Sequence, residues 1–235
     1  LRMAANISSA IASGITATLT GITVQDDIRI TFDAWINYNG GPAGGTGSTE
    51  FMTVGASANS SLVAMTSSDY LAASTSNQPF NGFFFGAAGE GGASHDYRYY
   101  DGNGTGGAAG NNASRANFLG KSVANHFDFV EVFRPLQSFE TPGTPGKAWT
   151  RWEIVVLDGK IRLFMTGADG IQTLLCDWFT PNTGASITGL RPHLGTMDVY
   201  SGLASPVTDN FVLFDNLKVE SIESDTSGIR EWELF

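Results

Sequence analysis

The residues with the types and spacing to do chemistry lie in His126-Phe127-Asp128-Phe129-Val130-Glu131. Asp128 and Glu131 are carboxylates three positions apart. Paired carboxylates are the machinery of glycoside hydrolysis: one serves as acid/base, and in the retaining route a second carboxylate about 5–5.5 Å away is the nucleophile. On a strand the same residues can also form a solvated face, or a polar face that hydrogen-bonds sugar hydroxyls.

Asp101-Gly102-Asn103-Gly104-Thr105 has a second suggestive spacing. Asp101, Asn103 and Thr105 could set oxygens around a calcium ion, but the twelfth position is Asn112 and not the bidentate Glu of an EF-hand. The competing reading is a plain glycine-rich turn. Tyr97, Tyr99 and Tyr100, together with Trp35, could offer aromatic faces to the CH groups of sugar rings. Tyr97 and Tyr99 share one side of a strand and Tyr100 the other, so at least one of them belongs to a core. His95 and His193 are isolated, and a zinc site needs three or four clustered ligands. Cys176 is the only cysteine, so no internal disulfide exists; it reads as a small core residue. Asn6, Asn59, Asn103 and Asn112 open glycosylation-acceptor patterns of a kind that chance supplies in a chain rich in Gly, Ser and Asn. The glycine-rich run from Asn39 to Ser48 has no lysine and no helix signal, so it does not read as a phosphate cradle.

The elements that must position these residues are strands. The centre of the chain is KAWTRWEIVVLDGKIRLFMTGADGIQTLLCDWFT, residues 147–180. Trp152, Ile154 and Val156 alternate with more polar neighbours, as do Ile161, Leu163 and Met165, which is the period of a strand with one face in a core. Asp158-Gly159 is the preferred pair for a two-residue hairpin turn, and Asp169-Gly170 marks the next reversal. The even positions from Ile28 to Ile36 read as the inward side of another strand, and Ile15, Ala17 and Leu19 outline one more. Phe51–Ala56, Asn81–Gly86 (apolar enough to be buried on both faces), Ser94–Tyr100, Val123–Phe133, Arg191–Tyr200 and Phe211–Glu220 complete the set. Phe211, Leu213, Leu217 and Val219 share one parity, with Asp215-Asn216 breaking the run like a bulge. About ten to fourteen strands with no clear helix mean a sandwich or jelly roll, and no fixed-period repeat suggests a propeller or solenoid.

Composition narrows the partners. Of the 235 residues only 15% are charged, and the net charge of −10 argues against nucleic acid and anionic membrane. No run approaches the ~20 apolar residues of a membrane-spanning helix. Low charge with abundant Gly, Ser, Thr and Asn suits an exported protein. The chain starts at Leu1 and not Met, as expected where a leader has been removed or an end lies outside this sequence. At this length a single β-domain can bury roughly 70% of the surface its unfolded chain would expose.

These motifs resemble a known family. Phe214-Asp215-Asn216-Leu217-Lys218-Val219 is similar to the last strand of concanavalin A-like jelly-roll domains of the laminin-G type. The stretch from Trp149 to Val156, followed by Asp158-Gly159-Lys160-Ile161, resembles their central meander. Phe32–Asn37 with Gly44–Phe51, and Gly89–Arg98, are similar to exported proteins of planctomycete-type bacteria that carry a PEP-CTERM sorting signal, although that signal is not in this sequence. The resemblance spans most of residues 15–222. It implies a fold far more than an activity, since relatives include lectins, glycosidases and structural surface proteins. Jelly-roll glucanases carry Glu-x-Asp-x-x-Glu on a strand; Asp128 and Glu131 match its later positions, and His126 stands where the nucleophile belongs. The resemblance also makes loop-held calcium an expectation for Asp101, Asn103 and Thr105.

The expectation is therefore an all-β, concanavalin A-like jelly-roll sandwich of two antiparallel sheets. It forms one domain over residues 1–235, with 1–14 as an N-terminal arm. Its expected function is that of a non-catalytic, extracellular or cell-surface glycan-binding module using Trp35, Tyr97, Tyr99, Tyr100, His126, Asp128 and Glu131. The alternative is a self-assembling subunit of a surface layer or filament, joined to other copies through the uncharged arm. A glycoside hydrolase-like enzyme is third. The expected partners are a glycan or other copies of the chain, with no nucleic acid and no membrane insertion.

Overall fold

The computed structural model describes residues 1–5, 7–8, 13–23, 27–38, 50–57, 81–89, 97–103, 117–118, 145–157, 160–167, 170–178, 189–198 and 203–222. In chain order the strands are β1 (Arg2–Met3), β2 (Ser13–Thr18), β3 (Ile28–Asn37), β4 (Glu50–Ser57), β5 (Asn81–Ala88), β6 (Tyr97–Asn103), β7 (Asn117–Phe118), β8 (Trp149–Leu157), β9 (Lys160–Thr166), β10 (Gln172–Trp178), β11 (Arg191–Asp198) and β12 (Phe211–Ser221). They build two six-stranded sheets. Sheet 1 has the order β1-β12-β3-β8-β9-β10, and sheet 2 the order β2-β11-β4-β5-β6-β7. Every pairing among the described strands is antiparallel. This is the two-sheet jelly-roll sandwich that the alternation leads one to expect. Among the described residues the only helical segment is a 3₁₀ turn at Val207–Asp209, and no helix is long and apolar enough to cross a membrane.

The core lies between the sheets. From sheet 1 come Ile28, Ile30, Phe32, Ala34 and Ile36 of β3, Trp152, Ile154 and Val156 of β8, and Ile161, Leu163 and Met165 of β9. Sheet 2 contributes Met52, Val54 and Ala56 of β4, Phe83 and Phe85 of β5, and Leu194 of β11. Phe32 sits at its centre, stacked on Trp152 at 6.4 Å between centroids and tilted against Phe214 at 5.9 Å. The indole N–H of Trp152 donates to Thr150 Oγ1 at 2.8 Å, and that hydroxyl donates on to the Ala34 carbonyl. The polar atoms that Trp152 and Thr150 bring into the interior are thus satisfied, which avoids the cost of burying them unpaired.

Two expectations are corrected. Phe211 and Leu213 do not share the inward side with Leu217 and Val219; Val212 and Phe214 are the buried pair, while Leu217 and Val219 pack on the core. The cause is the bulge itself. Asp215 pairs with Asp33 and Lys218 with Thr31, so β12 spends one more residue than β3 and its parity flips. Asn216 takes up the extra residue with φ 51°, a conformation Asn tolerates better than most side chains.

Ahead of β3, Arg2–Met3 pairs with β12, the Leu1 amino group donates to the Phe214 carbonyl at 2.8 Å, and Ser13–Thr18, which holds the strand outlined by Ile15 and Ala17, pairs with β11. The second correction concerns the strand before the glycine-rich loop: it runs on through Asp101-Gly102-Asn103, because Gly82 and Gly102 face one another and ladder pairing continues past Tyr100. The predicted strand at 123–133 and the Asp158-Gly159 turn lie outside the described residues.

Candidate glycan-binding face

Accessibility decides where a ligand could sit. In sheet 2 both faces of β4, β5 and β11 are buried: Phe51, Thr53, Gly55 and Ser57 of β4, on the side away from the core, are as enclosed as the core residues between them. Sheet 1 differs. The odd positions of β3 and β8 (save the buried Val155) are partly exposed, and they carry Arg29, Thr31, Asp33, Asn37, Arg151 and Glu153.

On that face two tryptophans meet. Trp35 of β3 is registered directly opposite Trp149 of β8, and Leu213 of β12 lies opposite Trp35 on its other side. The indole centroids of Trp35 and Trp149 are 6.1 Å apart, with planes inclined at 59°. Trp149 is 45% exposed and Trp35 half-buried. The Trp35 Nε1–H donates to Asn37 Oδ1 at 3.2 Å, and the Asn37 amide donates to the Asp209 carbonyl. This chain fixes one indole while leaving the other free on its outer side.

The adjoining row is polar. Arg151 Nε donates to Asp33 Oδ1 at 2.9 Å and Nη2 to Oδ2 at 3.4 Å, while Asn216 Nδ2 donates to Oδ2 at 2.6 Å. Partial burial pushes the Asp33 carboxyl up, but hydrogen bonds from Arg151 and Asn216 and the guanidinium charge outweigh it and hold the group below the usual carboxylate range. The same pairing raises Arg151. An ionised carboxylate with both oxygens engaged is unsuited to give or take a proton near neutral pH. At the far end of the aromatic row, Arg2 of β1 pairs with Leu213, stacks over the Phe211 ring at 4.4 Å and donates to the Thr208 carbonyl at 3.0 Å.

The structure thus divides the expected ligand residues. Trp35 is on the outer face of sheet 1. Tyr97, Tyr99 and Tyr100 belong to β6 of sheet 2, registered opposite Ala87, Phe85 and Phe84. The backbone thus places Trp35 in sheet 1 and the three tyrosines in sheet 2. Asp101 and Asn103 pair with Phe83 and Asn81 in the β5–β6 ladder. Thr105, His126, Asp128 and Glu131 lie outside the described residues. Among the described residues no three His, Cys, Asp or Glu side chains come together.

Trp149 was missed from sequence, and a signal for it existed. Both Trp35 and Trp149 occupy the polar parity of their strands, in line with Arg29, Thr31 and Asp33 and with Arg151 and Glu153. A tryptophan among outward-facing positions stands out. Their contact depends on the β3–β8 register, which no short-range pattern supplies.

His193 is the other unexpected residue. It is buried at 2% exposure on β11, opposite Gly55, with its ring edge-on to Phe84 at 6.3 Å. Among the described residues neither ring nitrogen has a hydrogen-bond partner, and burial pushes the imidazole down to about 4.

No family model matches the chain, and no curated protein sequence does. Solved structures do resemble it. The exoplasmic/lumenal domain of VIP36, in a form bound to Ca²⁺ and Man3GlcNAc, aligns over 91% of this chain and 76% of its own, at 9% identity and a TM-score of 0.49. Sheep galectin-11 in complex with glycerol aligns over 88% of this chain and 96% of its own, at 8% identity and a TM-score of 0.42. A putative β-glucanase from Mycobacterium abscessus covers 88% and 74%, at 11% identity and a TM-score of 0.42. At this distance no residue role is carried from any of them.

Proposed function

We propose that this chain is a non-catalytic glycan-binding module of an exported or cell-surface protein, and that it binds through the outer face of sheet 1. The observation that carries the reading is the register-matched pair Trp35–Trp149 on the partly exposed outer face of sheet 1, with Trp149 open to solvent. An indole held against solvent by a neighbour leaves a flat apolar surface that a sugar ring can cover, and Trp is the residue that most often dominates such contacts. The exposed Arg151, two residues along β8 from Trp149, stands beside the pair for hydroxyl groups.

A cross-strand tryptophan pair also stabilises its sheet. The two roles separate in one experiment. Wild-type chain and Trp149→Ala are compared in affinity gels containing a panel of polysaccharides, with thermal melting alongside. The reading expects about a tenfold or greater loss of affinity with the fold retained. Equal retardation of both proteins would leave only the structural role. Sugar release from β-glucans or galactans that Glu131→Gln abolishes would overturn the non-catalytic half.

Self-assembly is the second reading, and β10 favours it. This strand ends sheet 1, pairs with β9 alone among the described strands, and exposes Ile171 at its approach and Leu174 within it. An edge of this kind offers backbone groups to another chain. Light scattering at high concentration tests it: growth in mass that Leu174→Lys removes supports the reading, and a 24.9 kDa monomer removes it.

A further inference from the structure

We infer that the ligand of the sheet 1 face is an uncharged polysaccharide chain, lying across the strands and held along its length and not by its end. This rests on the glycan-binding reading above. Three observations point to it.

The first is the direction of the apolar row. Trp149, Trp35 and Leu213 sit on β8, β3 and β12 in successive register, so the row runs perpendicular to the strands. With strands about 4.8 Å apart, it spans about 10 Å between its end Cα atoms. One sugar ring covers one indole; a row of this length fits linked rings.

The second is shape. Trp149 keeps nearly half of its surface exposed, so the face is a platform and not a pit. A pit selects a chain end, because only an end can enter it. A platform accepts an internal stretch.

The third is charge. The chain has a net charge of −10, and on this face Arg151, two residues from Trp149, and the more distant Arg29 and Lys218 are each joined to a carboxylate. Arg151 is joined to Asp33 at 2.9 Å, Arg29 to Glu153 at 2.8 Å and Lys218 to Glu220 at 2.6 Å. Arg2 lies on the Phe211 ring and donates to a backbone carbonyl. Seizing a carboxylate or sulfate would require breaking one of these pairs, against a surrounding field that repels anions. Hydroxyl groups need no such exchange.

The test uses the full chain, a soluble neutral β-linked polysaccharide, its carboxymethylated derivative, and neutral oligomers from disaccharide to hexasaccharide. Binding is measured by calorimetry at roughly 0.05 and 0.5 M NaCl. The expected result is affinity that rises about tenfold or more from disaccharide to hexasaccharide and changes by less than about twofold with salt. Trp149→Ala should lose that gain with length, and Trp149→Phe should restore part of it. Preference for the carboxymethylated polymer with release by salt overturns the inference but leaves glycan binding standing. Equal affinity for disaccharide and hexasaccharide does the same. Failure to bind any of the ligands overturns both.

Discussion

Replacing His193 by Leu removes two buried ring nitrogens that lack partners among the described residues. Its consequence is a change in how stability depends on pH. The imidazole is pushed from its ordinary 6.5 to about 4 by burial, because the folded protein has no means of solvating the charged form. The sign follows from proton counting. Between pH 6.5 and 4 the unfolded chain binds a proton at this position and the folded chain does not, so acid favours unfolding. The stabilisation is whole above the unfolded value and is lost as the pH falls toward the folded one. Full loss amounts to about 3 kcal/mol; at pH 5 it is already about 2 kcal/mol relative to pH 7. Urea unfolding of wild type and His193→Leu at pH 7 and pH 5 measures it. Other titrating groups are common to both proteins and cancel in the comparison. Wild type should lose about 2 kcal/mol more than the variant on acidification. At pH 7 the variant should be no less stable by more than about 1.5 kcal/mol, since an apolar group replaces orphaned polar atoms. The same pH dependence in both proteins would refute the placement of His193 in an enclosed, unpartnered site.

Three further substitutions probe the fold. Ile154 is fully buried at the centre of β8, and Ile154→Ala should cost about 2–5 kcal/mol in denaturant unfolding; a cost below about 0.5 kcal/mol would mean that the strand's inward parity is wrong. Gly195→Ala would set a Cβ 2.5 Å from Thr53 Oγ1 and 2.6 Å from the Ile15 carbonyl, so β2 and β11 must separate; a melting temperature lowered by several degrees is expected, and an unchanged one would contradict the close approach. At the β12 bulge Asn216 has φ 51°, so Asn216→Val should be at least about 1 kcal/mol less stable than Asn216→Gly, and equal stabilities would argue against the bulge.

Much of the fold was legible because its strands obey a simple rule. Where one face is buried and the other wet, side chains alternate, and β3, β8 and β9 were read with the right positions inward. The rule failed where the backbone broke it. Asp215-Asn216 reads as a bulge, but one parity carried across it groups Phe211 and Leu213 with Leu217 and Val219, whereas Val212 and Phe214 are the buried pair. In sheet 2 alternation has nothing to report, and there the unbroken apolar run of β5 marks a strand buried on both faces, as the structure has it. The ligand face was less legible for a different reason. Composition flagged aromatic residues, yet whether Trp35 meets Tyr99 or Trp149 is settled by sheet membership and register across more than a hundred residues of chain. Local patterns carry neither. Asp101 and Asn103 looked like a loop because glycines surround them, whereas Gly82 and Gly102 let two strands continue side by side.

The most direct test of the central claim is the migration of wild type and Trp149→Ala through native gels cast with and without neutral polysaccharides. At least one polysaccharide should retard the wild type. Trp149→Ala should run in that gel as it does in a blank one, while melting within a few degrees of wild type. Retardation of the variant equal to that of the wild type would contradict a ligand seat at Trp35–Trp149.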